Sequence, residues 1–149
     1  MADFPVNAAF FSVEFGSKIK GYFREMSGLG SEHEVTQQKA VGEKGAVIWY
    51  QIPGNIKWQP VTLKQGITTG ADSMSLWKWR QEIVDGAFDT ARTNGSISMF
   101  GQDRKEPIAV WEFILAWPSK ITGPAPNASS NDVAIEELQL VYDSFKRTR

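Results

Sequence analysis

The segment PIAVWEFILAWPSKITGP, Pro107 to Pro124, limits the folds open to this chain more than any other stretch. Read as a strand, it places Ala109, Trp111, Phe113, Leu115 and Trp117 on one face. The other face carries Ile108, Val110, Glu112, Ile114 and Ala116, of which only Glu112 is polar. A half-exposed antiparallel strand shows one wet face, whereas a strand apolar on both is normally covered on both. The fold must therefore supply two covers, from within the chain or from a neighbour.

Within the chain, one segment has the pattern of a covering helix. In SMSLWKWRQEIVDGAF, steps of about 100° gather Leu76, Trp77, Trp79, Ile83, Val84, Ala87 and Phe88 on one half of the wheel. Asp72, Ser73 and Ser75 are its candidate N-caps, and Leu76, Trp79 and Ile83 the residues expected to pack on the sheet. The remaining apolar segments alternate as strands do. They are Ala8–Phe15, Ile19–Met26, Ser31–Gln38, Pro60–Ile67, Gly95–Phe100, Pro107–Trp117 and Asp132–Phe145. In the last of these, Val133 and Ile135 differ in parity from Leu138, Leu140 and Tyr142, which predicts a bulge near Glu136 and Glu137. Val41–Pro60, punctuated by Gly42, Gly45 and Pro53-Gly54, reads as a long excursion with a short strand AVIWYQI inside.

The expected architecture is mainly β: a small β-barrel or two-sheet sandwich of about seven strands flanked by one α-helix, in a single domain spanning 1–149. A chain of this length can bury roughly 68–70% of its unfolded surface, so it needs no crosslinks to fold. It has no cysteine, which excludes disulfides, thiolate nucleophiles and Cys-based zinc sites. Sixteen basic and seventeen acidic residues give a net charge of −1, which does not suggest a general nucleic-acid or membrane-surface binder. MADFPVNAAFFSVEFG lacks a basic n-region and does not read as a signal peptide, so cytoplasmic synthesis is expected.

Catalytic constellations are hard to assemble. His33 is the only histidine, and Glu32 and Glu34 beside it fall on the opposite face of a strand. No G-x-S-x-G surrounds a serine, and no G-x-x-x-x-G-K-[ST] phosphate loop is present. Paired carboxylates occur at Glu32/Glu34, Glu136/Glu137 and Glu82/Asp85, and a glycan-cleaving enzyme would need one such pair flanking a cleft. Asn94-Gly-Ser96 and Asn127-Ala-Ser129 match the glycosylation sequon but read as turn residues. Lys146-Arg147-Thr148-Arg149 reads as a frayed, solvated end. Six tryptophans leave a non-catalytic alternative, a small glycan-binding β-domain using Trp58, Trp77 and Trp79 as a stacking platform. Core and interface packing is the plainer use of those side chains. No catalytic residue, metal ligand or cofactor site is assigned.

Four stretches in order resemble one family. IKGYFREMSGL (Ile19–Leu29) is similar to the G-x-F-x-E-x-S-G-L segment of the tail tube proteins of contractile-tailed phages and phage-like injection systems. IPGNIKWQPVTLKQGIT (Ile52–Thr68) resembles their L-P-G…I-T-L-K-R-G segment, with Gln65 where arginine is usual. LWKWRQEI (Leu76–Ile83) looks like the Trp-bearing helix that follows. VWEFILAWPSKITGPAPNASSNDVAIEELQLVYD (Val110–Asp143) resembles the family's ending, with Pro126 in place of Leu. The type VI secretion tube protein shares this fold, but the strings here match the phage-like branch better.

The resemblance implies a non-enzymatic subunit: six copies form a ring, rings stack into a hollow tube, and strands of neighbours join into one inner barrel. It also implies a contractile sheath, baseplate and tail-terminator proteins as partners, with cargo or DNA passing through the lumen. The product would be a phage tail or tail-like particle that can leave the cell. Two expectations for this chain follow. A wet lumen gives a role to the polar face of Glu32, Glu34, Thr36 and Gln38. The apolar content of the Val41–Pro60 excursion suggests contact with the next ring through Ile52, Pro53, Gly54 and Trp58.

Overall fold

The computed structural model describes residues 10–66, 74–102, 105–123 and 134–149. Its ten strands are β1 (Phe10–Phe15), β2 (Ile19–Phe23), β3 (Glu25–Ser27), β4 (Ser31–Val41), β5 (Val47–Trp58), β6 (Val61–Gly66), β7 (Thr93–Phe100), β8 (Pro107–Thr122), β9 (Ile135–Val141) and β10 (Ser144–Arg147). Two helices, α1 (Ser75–Val84) and α2 (Phe88–Ala91), lie between β6 and β7. The chain divides into two compact units, one of Met1–Leu29 with Pro60–Arg149 and one of Gly30–Gln59. The first holds the sheet and helices, the second only the β4–β5 hairpin.

In the first unit the strands follow the order β2-β1-β7-β8-β9-β6-β3, with β10 also paired to β8. Every pair is antiparallel. The two ends of this path, β2 and β3, are separated by Arg24 alone, whose N–H bonds the Lys64 carbonyl at 3.0 Å. Ile19–Ser27 is therefore one bent strand that pairs first with β1 and then with β6, which closes the sheet on itself. Closure removes the free edges that an open sheet would have to protect. Val13, Phe15, Phe23, Val61, Leu63, Ile97, Phe113, Leu138 and Leu140 fill the interior and are almost wholly buried.

The segment that constrained the fold makes the second corner. β8 runs through 16 residues, pairing with β7 in its first half and with β9 in its second. The alternation expected for it fails midway. Ala109 and Phe113 are buried in the first half, but Ala116 and Pro118, of the other parity, are buried in the second. The switch occurs at Leu115, which has φ of +50° and whose N–H donates to Asn94 Oδ1 at 2.9 Å. A register shift lies opposite, between Thr93 and Gly95. Trp117 is met edge-on by Phe88 of α2, with ring centroids 5.3 Å apart. Ile114 remains 43% exposed, so the chain covers the second face only in part.

The helix is shorter than the sequence suggests. Gly86, at φ of +85°, ends α1 and a separate short α2 follows, because the left-handed conformation there stops the helical ladder. Met74, not Ser75, occupies the N-cap position, while Asp72 and Ser73 lie outside the described residues. Leu76 and Trp79 are about 1% exposed and Ile83 is half-buried. Trp79 reaches Phe15 at 5.7 Å and donates its indole N–H to the Ala91 carbonyl at 2.7 Å. Lys18 ties the β1–β2 turn to the helix by bonding both Glu82 carboxylate oxygens at 3.0 and 2.9 Å.

Three further expectations are corrected. The bulge at Glu136-Glu137 is not formed: β9 pairs with β6 in unbroken register, Ile135 stays exposed and Glu136 takes the inward position. Val133 lies outside the described residues. The C-terminal residues are not frayed, since Ser144–Arg147 forms β10 on the edge of β8 and Phe145 packs on Phe113 at 5.4 Å. Asn94 is an exposed strand residue of β7, not a turn, while Asn127 lies outside the described residues.

Candidate assembly surface

Residues 30–59, expected to form a strand followed by an irregular excursion, make a hairpin of two long strands. β4 and β5 pair antiparallel from Ser31↔Trp58 to Val41↔Val47, closed by a tight turn at Glu43–Gly45. Val, Ile, Trp and Tyr suit extended backbone, so VIWYQI continues as strand beyond the short run expected. Pro53-Gly54 does not interrupt it, because a bulge absorbs the irregularity opposite Glu34. Glycine is required at 54: a Cβ there would come within 2.9 Å of the Glu34 carbonyl oxygen.

The register fixes which side chains share a face. One face carries Glu32, Thr36, Gln38 and Ala40 on β4 opposite Lys57, Ile52, Tyr50 and Ile48 on β5. Glu34 belongs to the same face and meets Lys57 in an exposed ion pair at 3.3 Å, a contact contributing about 0–1 kcal/mol. The other face carries Ser31, His33, Val35, Gln37, Lys39 and Val41 opposite Trp58, Ile56, Pro53, Gln51, Trp49 and Val47. The polar row seen in β4 is real, but the face it belongs to is polar only near Glu32, Glu34 and Lys57. Farther out, Thr36 and Gln38 stand beside Ile52 and Tyr50.

Among the described residues, both faces of the hairpin are exposed. Every residue of β4 except the half-buried Ala40, and every residue of β5 except the half-buried Trp58, is exposed. Val41 is 72% exposed, Trp49 56% and Tyr50 52%. An isolated two-stranded hairpin is marginally stable in water, and contiguous exposed apolar surface of this kind marks an interaction site. Ile52, Pro53 and Gly54 are exposed on β5 near its bulge, and Trp58 lies at its end. Val47, Ile48, Trp49 and Tyr50 belong to this surface as well, beyond the contact residues expected from the sequence. Their signal was the β-branched and aromatic run itself.

The candidates for chemistry are not brought together. Glu136 is 6% exposed and accepts the Trp77 indole N–H at 2.8 Å, whereas Glu137, next along β9, falls on the opposite face. Glu82 is held by Lys18, and Asp85 accepts the Gln81 amide at 2.9 Å. Trp79 is buried while Trp77 is 39% exposed, so the two helix tryptophans do not form a common exposed platform. Among the described residues no three His, Asp or Glu side chains are grouped to hold a metal ion, and no helix is long and apolar enough to cross a membrane.

Comparison with known proteins points one way. A family model described as T4-like virus tail tube protein gp19 matches residues 7–146. No curated protein is significantly similar in sequence. Among solved structures, the chain resembles one from the sheath/tube terminator of an extracellular contractile injection system, PVC, in its extended state. The TM-score is 0.77 at 22% identity, covering 100% of both chains. A chain of the PVC sheath-tube complex gives 0.71 at 23% identity, covering 97% of this chain and 92% of that one. Hcp1 from Flavobacterium johnsoniae gives 0.55 at 12% identity over 94% and 95% of the two chains.

Proposed function

The chain belongs to the T4-like virus tail tube protein family and is a structural subunit of a tail-type tube, and from that premise we propose how it assembles. Six copies close into a ring, with each chain acting as one tube-subunit domain, and rings stack into a hollow conduit. In this reading a contractile sheath surrounds the tube, baseplate and terminator proteins bound its ends, and cargo or DNA passes through the bore. The work is mechanical, with no catalytic step, and the tube acts as part of a phage tail or tail-like particle.

One observation carries the assembly reading: a 30-residue unit, Gly30–Gln59, with no buried residue and with apolar side chains on both faces. Hydrophobic burial contributes about 25 cal/mol per Å² of apolar surface removed from water. Covering Ile48, Trp49, Tyr50 and Ile52 is thus a driving force that the chain does not realise alone. Contacts with copies in the adjacent ring, including Ile52, Pro53, Gly54 and Trp58, cover them. Near Glu32, Glu34 and Lys57 the hairpin is charged and stays wet, toward the lumen, whereas Thr36 and Gln38 beside Ile52 and Tyr50 border the covered part.

The test shortens the hairpin by removing residues 37–51 and joining Thr36 to Ile52 through an Asn-Gly turn, a linker suited to two-residue hairpins. Negative-stain images of the unaltered chain show stacked tubes, and the shortened chain gives folded subunits or single rings without tubes. Long tubes from the shortened chain would refute the inter-ring role.

A further inference from the structure

With one histidine and no cysteine, the chain has a single side chain, His33, of the type whose charge ordinarily changes between about pH 5 and 8. It stands exposed on β4, directly opposite Ile56 of β5. The pairs on either side are Ser31↔Trp58 and Val35↔Pro53, so the imidazole is set among Val35, Pro53, Ile56 and Trp58 on one face. A titratable ring in the middle of an apolar surface has little consequence while water covers that surface. It matters once another chain does.

No charge on this face is close enough to compensate an imidazolium. The paired strand β5 presents Trp58, Ile56, Pro53, Gln51, Trp49 and Val47 here, none of them ionisable. On β4 the face adds Lys39, about 20 Å farther along the strand and well beyond a Debye length of about 8 Å. Glu32 and Glu34 are its neighbours in sequence, but alternation turns their side chains to the opposite face. There Glu34 is already 3.3 Å from Lys57. The wet, charged end of the hairpin is thus on one face and His33 on the other, beside Pro53 and Trp58 of the contact between rings.

We propose that His33 makes ring stacking acid-sensitive: the contact accepts the neutral imidazole and is weakened when the ring is protonated. The proposal rests on the inter-ring reading of the hairpin and adds a regulatory property to it. A neutral imidazole tolerates an apolar cover, since one ring N–H is all that it must place on a carbonyl or a water at the rim. An imidazolium gives up its hydration and receives no counter-charge from this chain. A free subunit therefore takes up a proton that a stacked one excludes. Linkage fixes the sign: stacking is strongest at neutral and higher pH and weakens as the pH falls. One proton excluded per subunit changes the stacking equilibrium by up to about tenfold per pH unit, and every copy repeats the effect.

The test measures the critical concentration for tube formation by sedimentation at about pH 7.5 and about pH 5.5, on either side of ordinary imidazole titration, with negative-stain images of the pellets. The unaltered chain should need about tenfold more subunit at the lower pH. His33→Gln, neutral throughout, should assemble alike at both. His33→Arg, charged throughout, should need the higher concentration at both. An unchanged critical concentration for the unaltered chain would overturn the proposal. A lower one in acid would overturn it too, by showing that the next ring supplies a carboxylate to the imidazolium. So would a pH dependence kept in full by His33→Gln, because other groups would then carry it. Absence of tubes from the unaltered chain at both pH values would instead overturn the tube reading, and this proposal with it.

Discussion

Gly95 shows how much of the closed sheet depends on single residues. A Cβ at this position would strike the Phe15 ring and the Glu14 carbonyl oxygen. Phe15 needs that space because it also packs on Phe113 and Trp79 at 5.8 and 5.7 Å. Gly95→Ala should therefore destabilise the subunit by about 2–3 kcal/mol, the cost of overpacking a fixed core. Gly21→Ala meets nothing within 4 Å and should shift stability by less than about 1 kcal/mol. Urea unfolding of the two variants checks the contrast, and equal midpoints would show that Phe15 moves aside freely. Leu115 is the companion residue on β8, where its positive φ and the bond its N–H donates to Asn94 Oδ1 turn the strand over. Strict alternation in the sequence pointed to the opposite parity beyond this residue, because nothing in a leucine announces such a conformation.

At the scale of elements, α1 is fixed by polar ties as well as by Leu76 and Trp79. Trp77 gives its indole N–H to Glu136, a carboxylate 6% exposed at an inward position of β9. Trp77→Phe keeps most of the ring and removes the donor, so the buried acceptor loses a partner at a cost of about 1–3 kcal/mol. Adding Glu136→Leu should recover part of that loss, since an apolar group needs no donor; chemical denaturation of the single and double variants measures it. The helix itself was legible from its half-wheel of apolar residues, and its end was not, although Gly86 carried the signal. The C-terminal strand was missed for a different reason. Lys146 and Arg147 look solvated in sequence, yet backbone pairing with Glu112 and Trp111 holds them in β10 whatever their side chains do.

At the scale of the molecule, burial is distributed very unequally. The buried core residues all belong to the unit of Met1–Leu29 and Pro60–Arg149, and none to Gly30–Gln59. The chain shortened at 37–51 should therefore unfold at a urea midpoint close to that of the unassembled full chain. A large loss of stability in the free subunit would show that the hairpin supports the core, and would recast it as more than an assembly element. The same distribution separates the two tests: one reads stacking in the assembled state, the other stability in the free one.

The amino-acid sequence determined the class of the fold, its flanking helix, the absence of cysteine chemistry and the family resemblance, because these rest on composition, periodicity and strings of neighbouring residues. It also showed, in Pro107–Thr122, more apolar surface than one strand in one domain should carry. Tertiary structure alone decided where that strand turns over at Leu115 and how Arg24 closes the sheet. It alone joined the polar row of β4 to the apolar row of β5. Each of these depends on which residues meet across strands, a long-range register that local pattern does not encode.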